Sequence, residues 1–254
     1  MYGWEEKMKK AMVIFKNTND LNYLIESCKF LKENYGYVIK PVYMINPAII
    51  DLSKENLKDI VNKVEDKFFK NLNIKLREEN LTDEYISLID ENSNSVKELL
   101  KTTDIILISE EPGLNNFILE ILKKLYKPMI ILKGKKLSFN KIILTSDNGV
   151  KINKSFHDFY LNFYKEDIKK VDVLTWNYNE LDHSLVELIE SKDIKVELYK
   201  YFPKENSLTE FIEKIDEEDL LIMGNLSKRF FLEKVMNKLG VQILERVKTN
   251  IFIS

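Results

Sequence analysis

Glycine occurs only seven times in 254 residues, at Gly3, Gly36, Gly113, Gly134, Gly149, Gly224 and Gly240, against an average near ~7% of residues. Loops that cradle phosphate groups use glycine for positive φ and for close backbone approach. Few such loops fit in this chain. The single cysteine, Cys28, excludes an internal disulfide and a cysteine-cluster metal site, and fits a reducing compartment. Neither charge dominates, since 39 Lys and Arg face 41 Asp and Glu for a net charge of −2. Lysine and glutamate are interspersed along Ser53 to Asn71 as on solvated helix faces, so the chain lacks the basic groove of a nucleic-acid binder. No apolar run approaches the ~20 residues that span a bilayer. Met1 to Lys10 carries both charges without the apolar core of a signal peptide. These absences predict a cytoplasmic protein with no nucleic-acid partner and no membrane insertion.

What is present is an ordinary globular composition, 44% apolar and 31% charged, laid out as short β-type runs alternating with helix-period stripes. That order predicts parallel βαβ units. In the first half, Ala11 to Phe15 reads as a buried strand, followed by a helix with Leu21, Leu24, Ile25, Cys28 and Leu31 on one stripe. Tyr37 to Met44 is the next strand, and a helix from about Lys54 turns Leu57, Val61, Val64, Phe68 and Leu72 inward. Asn73 to Arg77 and Tyr85 to Ile89 compete for the third strand, the second being better placed. A helix Ser95 to Lys101, a strand Asp104 to Ile108, a helix Leu114 to Tyr126 and a strand Met129 to Leu132 close the half. Lys133 to Phe139 is the linker.

The same order then restarts. Strand Lys141 to Thr145 leads to a helix with Ile152, Phe156, Phe159, Tyr160 and Phe163 inward, then to strand Val171 to Trp176. A helix with Leu181, Leu185, Leu188 and Ile189, strand Val196 to Tyr201, and a helix with Leu208, Phe211, Ile212 and Ile215 follow. First strands begin at Lys10 and Lys141, an offset of 131, whereas the acids opening the fourth strands, Asp104 and Asp219, are offset by 115. The first copy therefore carries 16 extra residues in its middle. Final strands follow Pro128 and Asn250, an offset of 122, so the first copy is 7 residues shorter before its last strand. The expected domains are 1–135 and 136–254, one fold used twice.

Asp219 to Ser254 holds a short strand, Gly224, a polar loop, a helix and a last strand, the order of a phosphate cradle in an open α/β sheet. With Lys141-Ile-Ile-Leu-Thr-Ser-Asp147, Asp219-Leu-Leu-Ile-Met-Gly224 and Ile243-Leu-Glu-Arg-Val-Lys-Thr-Asn-Ile-Phe-Ile253, the second copy resembles a universal stress protein domain. The whole chain is similar to a tandem member of that family. The resemblance implies two five-stranded parallel sheets, each in strand order 3-2-1-4-5 with helices on both faces, joined through their final strands.

Nucleotide-binding members of the family share an aspartate ending the first strand and a motif of glycine, two residues, glycine, nine residues, glycine, then serine or threonine. Asp147 matches the aspartate and Gly224 the first glycine. Ser227 stands at the second glycine, Asn237 at the third and Lys238 at the hydroxyl position. Each replacement adds a Cβ where backbone should approach phosphate. Asparagine tolerates the left-handed region, and Lys228, Arg229 and Lys238 offer charge to a phosphate. In the first copy Lys16 replaces the aspartate, Ser109 the first glycine, and Glu110 and Glu111 set like charge against a phosphate. That copy is expected to be structural.

Trp176 ends its strand where it would either stack on an adenine or cover the sheet rim. His157 and His183 have no partner at metal-ligand spacing, Cys28 lies on an apolar stripe, and Glu110-Glu111 reads as solvated charge. No catalytic or metal-binding residue is expected. The resemblance implies a stress-response binding and regulatory protein with weak or lost nucleotide affinity, acting on a protein partner, as a monomer with pseudo-dimeric domains or a homodimer. One alternative is a switch holding ATP or AMP among Asp147, Trp176, Gly224, Ser227, Lys228, Asn237 and Lys238. A second is an enzyme of the adenine-nucleotide α-hydrolase class.

Overall fold

Runs of continuous apolar residues become strands because helices cover both faces of a parallel sheet. The computed structural model describes residues 8–15, 22–44, 69–82, 86–88, 93–109, 120–121, 127–146, 150–164, 168–177, 183–225 and 239–254. The chain divides into two units, Met1–Ser109 and Glu110–Ser254.

In the first unit, β1 (Lys10–Phe15), β2 (Val38–Met44), β3 (Ile86–Leu88) and β4 (Ile105–Ser109) lie in the order β3-β2-β1-β4. Every pairing among them is parallel. Helices α1 (Asn22–Tyr35), α2 (Lys70–Glu78) and α3 (Ser93–Leu100) connect them. The α1 stripe holds, with Leu24, Ile25, Cys28 and Leu31 buried; Leu21 lies outside the described residues. Burial pushes the Cys28 thiol far above its ordinary range, so it is an inert core residue. Of the two candidates for the third strand, Asn73 to Arg77 lies inside α2 and Ile86–Leu88 is the strand. Leu72 and Leu76 explain the helix, because both are buried one turn apart on the same face. Tyr43 stacks on Phe69 with ring centroids 4.5 Å apart and donates to Asn73 Oδ1 at 2.5 Å, holding α2 on the sheet. The positions Leu57 to Phe68 lie outside the described residues, as does most of Leu114 to Tyr126, where Glu120 and Ile121 are helical.

The second unit begins with β5 (Met129–Leu132), the strand that the repeat assigns to the first copy. It contains β6 (Ile142–Ser146), β7 (Lys170–Trp176), β8 (Lys195–Tyr201), β9 (Leu220–Met223) and β10 (Asn250–Ile253) in the order β5-β10-β9-β6-β7-β8. The strands from β8 to β10 are parallel neighbours in the order 3-2-1-4-5. β5 runs antiparallel to β10, with Ile131 opposite Ile251. Helices α4 (Val150–Phe163), α5 (His183–Glu190), α6 (Leu208–Asp216) and α7 (Leu239–Arg246) complete the unit. Ser207 caps α6 by accepting from Glu210 N at 3.2 Å while Glu210 Oε2 accepts from Ser207 N at 2.8 Å, a reciprocal capping box.

The register sorts side chains into rows. Phe252, Ile222, Leu144, Val173 and Leu198 form one row across the sheet. Phe159 and Phe163 of α4 meet Phe252 with centroids 5.5 and 5.9 Å away, so α4 covers that face. The opposite face carries Asp172 and Tyr199; Lys214 of α6 reaches both, its Nζ lying 3.9 Å from the carboxylate and 5.0 Å from the ring centroid. Phe156, Phe159, Phe163 and Ile152 are buried as the stripe predicts, but Tyr160 is only half-buried. It stands at the edge of the stripe, stacked on Tyr164 at 4.5 Å with Lys192 Nζ 5.3 Å from its ring centroid.

Buried Asn250 fastens the last strand. Its Oδ1 accepts from Lys133 N at 2.9 Å and its Nδ2 donates to the carbonyls of Lys135 and Lys136 at 3.3 and 3.1 Å. The Lys133 to Phe139 connection is thereby tied to β10. Among the described residues, no helix is long and apolar enough to cross a membrane.

Candidate functional site

In a parallel sheet all strands end on the same rim, where helices begin. Ser146 of β6 lies opposite Thr175 of β7, and Thr145 opposite Met223 of β9. Gly224 follows Met223, so Gly224, Ser146 and Thr175 lie in one row at this rim. Ser146 and Thr175 are buried, 6% and 1% exposed.

Gly224 meets the first turn of α4. A Cβ added to it would stand 3.0 Å from Lys151 Cβ, 3.2 Å from Ile152 N and 3.3 Å from Lys151 C. Its φ is not in the left-handed region, so space rather than dihedral freedom calls for glycine here. The close approach to Gly224 is made by the protein's own helix.

Trp176 is half-buried and meets Phe211 of α6 edge to face, with centroids 5.3 Å apart at 74°. Tyr201 meets the same ring at 5.3 Å and 89°. This is the rim-covering arrangement. The strand alternation puts Trp176 on the face that α6 covers, whereas Gly224 is approached by α4. The two described members of the sequence-derived set therefore face different helices. Asp147, Ser227, Lys228, Asn237 and Lys238 lie outside the described residues.

Among the described residues, two polar atoms at this rim lack a hydrogen-bond partner: the hydroxyl of Thr175 and Oδ1 of Asn225. Leaving a buried polar group unmatched costs about 1–3 kcal/mol, so a polar ligand or a water would be favoured at either atom. The pattern reading missed both. The available signal was Thr175 itself, a hydroxyl among the apolar residues Val173 and Leu174.

The first unit treats its equivalent position differently. Ser109 ends β4, and its hydroxyl is hydrogen-bonded to the Tyr23 hydroxyl from the first turn of α1. Tyr23 also accepts through its carbonyl from Ser27 Oγ at 2.6 Å. Tyr23 is the second residue of the helix that follows β1, and Lys151 the second residue of the helix that follows β6. Lys16, Glu110 and Glu111 lie outside the described residues.

No protein-family model and no curated protein matches the chain. Solved structures do match it. A universal stress protein from Archaeoglobus fulgidus DSM 4304 superposes with a TM-score of 0.67 over 95% of this chain and 97% of its own, at 11% identity. The fold is that of the universal stress proteins. A putative universal stress protein from Pseudomonas aeruginosa UCBPP-PA14 gives 0.57 over 97% and 93% at 9% identity. A functionally unknown protein from Pseudomonas aeruginosa PAO1 gives 0.58 over 97% and 92% at 11% identity. The likeness extends along nearly the full length of each chain.

Proposed function

We propose that this chain is a cytoplasmic regulatory protein of the universal stress protein type, built from two copies of the domain, that acts by binding a protein partner rather than by turnover. In this reading the first copy is a structural partner and the second has lost tight adenine-nucleotide binding. The supporting observation is the contact at Gly224, where the first turn of α4 takes the approach that a phosphate would need. Trp176, edge-on against Phe211, agrees with it. Thermal unfolding with millimolar ATP or AMP tests the reading. A micromolar site would add about 4 kcal/mol at a thousandfold excess over its dissociation constant, a millimolar site well under ~1 kcal/mol. The reading expects the smaller effect, and the larger one refutes it.

The unpartnered Thr175 hydroxyl favours a second reading, an ATP or AMP switch in the second unit. That switch requires nucleotide to survive purification and to be lost in Gly224→Trp.

A further inference from the structure

Strand β8 is the outermost strand of the second unit, paired along Lys195–Tyr201 with β7 and, among the described residues, with no other strand. Edge strands are usually kept from joining other chains by being short, bulged, interrupted by proline or set with charged side chains, lysine above all. β8 has none of the first three features, and its charges are Lys195, Glu197 and Lys200. It is seven residues long, contains no proline, and has no residue of positive φ. The edge strand β3 of the first unit, by contrast, has three residues. No residue of β8 is fully buried, whereas β9 and β10 are buried throughout. At its centre Leu198 is 45% exposed.

The hydrogen bonds define which backbone groups face outward. Lys195 N donates to Lys169 O at 2.9 Å, and Tyr201 O accepts from Asn177 N at 2.8 Å. In a parallel pair, alternate residues of a strand address one neighbour. Lys195, Glu197, Tyr199 and Tyr201 therefore turn their backbone groups toward β7, while Val196 and Leu198 turn theirs outward.

We propose that the β8 edge joins a second copy of this chain, antiparallel, about a two-fold axis at Leu198. This register pairs the strand over its full length. It places the outward N–H and C=O of Leu198 against the same groups of its copy, which is the hydrogen-bonded pair of an antiparallel ladder. It also buries two exposed leucines against each other. Lys195 meets Tyr201, Val196 meets Lys200 and Glu197 meets Tyr199, so no like charges stand directly opposite, as stable cross-strand pairing requires. Within one chain, Tyr199 already donates to Glu197 Oε2 at 3.1 Å, and the copy's tyrosine meets the same carboxylate. Of the edge lysines, Lys195 is partly neutralised by Glu197 at 3.3 Å, a carboxylate that also pairs with Lys170 of β7 at 2.8 Å.

Native mass spectrometry and light scattering at tens of micromolar test this. The expected result is a dimer that Leu198→Lys converts to monomer with an unchanged circular dichroism spectrum, while Leu161→Lys, at a 60% exposed position on α4, leaves it intact. Mild oxidation of Leu198→Cys is expected to give a covalent dimer on a non-reducing gel, because Cys28 is buried and does not compete. A monomeric wild type overturns the proposal. So does a dimer that survives Leu198→Lys, one lost in Leu161→Lys instead, or the absence of the covalent dimer.

Discussion

Strands β4 and β9 end in different ways. In the first, a tyrosine from the first turn of α1 reaches the strand end and joins hydroxyls with Ser109. In the second, a lysine at the same helical position presses its Cβ and backbone toward a glycine. Both arrangements fill the rim with protein, one by a hydrogen bond and the other by removing a side chain. The contrast shows that a surviving motif glycine need not mark a ligand, because helix packing alone can demand it.

The largest expected effect comes from Gly224→Val. Its Cβ would meet Lys151 Cβ at 3.0 Å and Ile152 N at 3.2 Å, and the second contact is backbone that moves only with the helix. Overpacking of this kind costs about 1–3 kcal/mol, measurable as a lower urea midpoint at unchanged slope. Undiminished stability would return Gly224 to a role in ligand binding. Next is Thr175→Val, which removes a buried hydroxyl without a partner. Relief of that penalty is expected to stabilise the protein by about 1 kcal/mol. A loss of stability would mean that a bound water or ligand satisfies the hydroxyl.

A smaller effect is expected in the first unit. Tyr23→Phe removes the bond to Ser109, at a cost of about 0.5–1.5 kcal/mol. A double-mutant cycle with Ser109→Ala should recover most of it as coupling; a coupling near zero would show that the hydroxyl pair does not stabilise that rim. The smallest effect concerns acid. Lys170, then Tyr199 and Lys195, hold the Glu197 carboxyl at about 2, below the ordinary value of about 4.3. Because the folded value is the lower one, its contribution to stability is present above that ordinary value and fades as pH falls toward about 2. An NMR titration of the Glu197 side-chain carboxyl should give a midpoint well under the usual range. An ordinary midpoint would show that the ion pairs with Lys170 and Lys195 do not persist in solution.

Much of the fold was readable because its signals are local. Met129 to Leu132 is an apolar run between Pro128 and a charged linker, and the strand has those bounds. The Phe156, Phe159 and Phe163 stripe identifies the buried face of α4 at helical spacing. Asn73 to Arg77 shows where local reading fails, since Leu72 and Leu76 place it in a helix that began before it. Tyr160 shows the same at the edge of a stripe, where one turn of the helix separates a buried ring from a half-buried one. The rim was less legible. Lys151 lies 73 residues before Gly224 in the chain, and nothing in either segment announces that they touch. Trp176 could be placed at a strand end by periodicity, but its partner Phe211 comes from a helix on the other side of β8 in sequence.

Isothermal titration of ATP into the purified protein tests the central claim, that the second unit has lost tight nucleotide binding. The expected outcome is no saturable heat, or a dissociation constant in the millimolar range. A micromolar constant at one site per chain would contradict it, and would show that the rim between Ser146 and Gly224 accommodates a nucleotide despite the contact with α4.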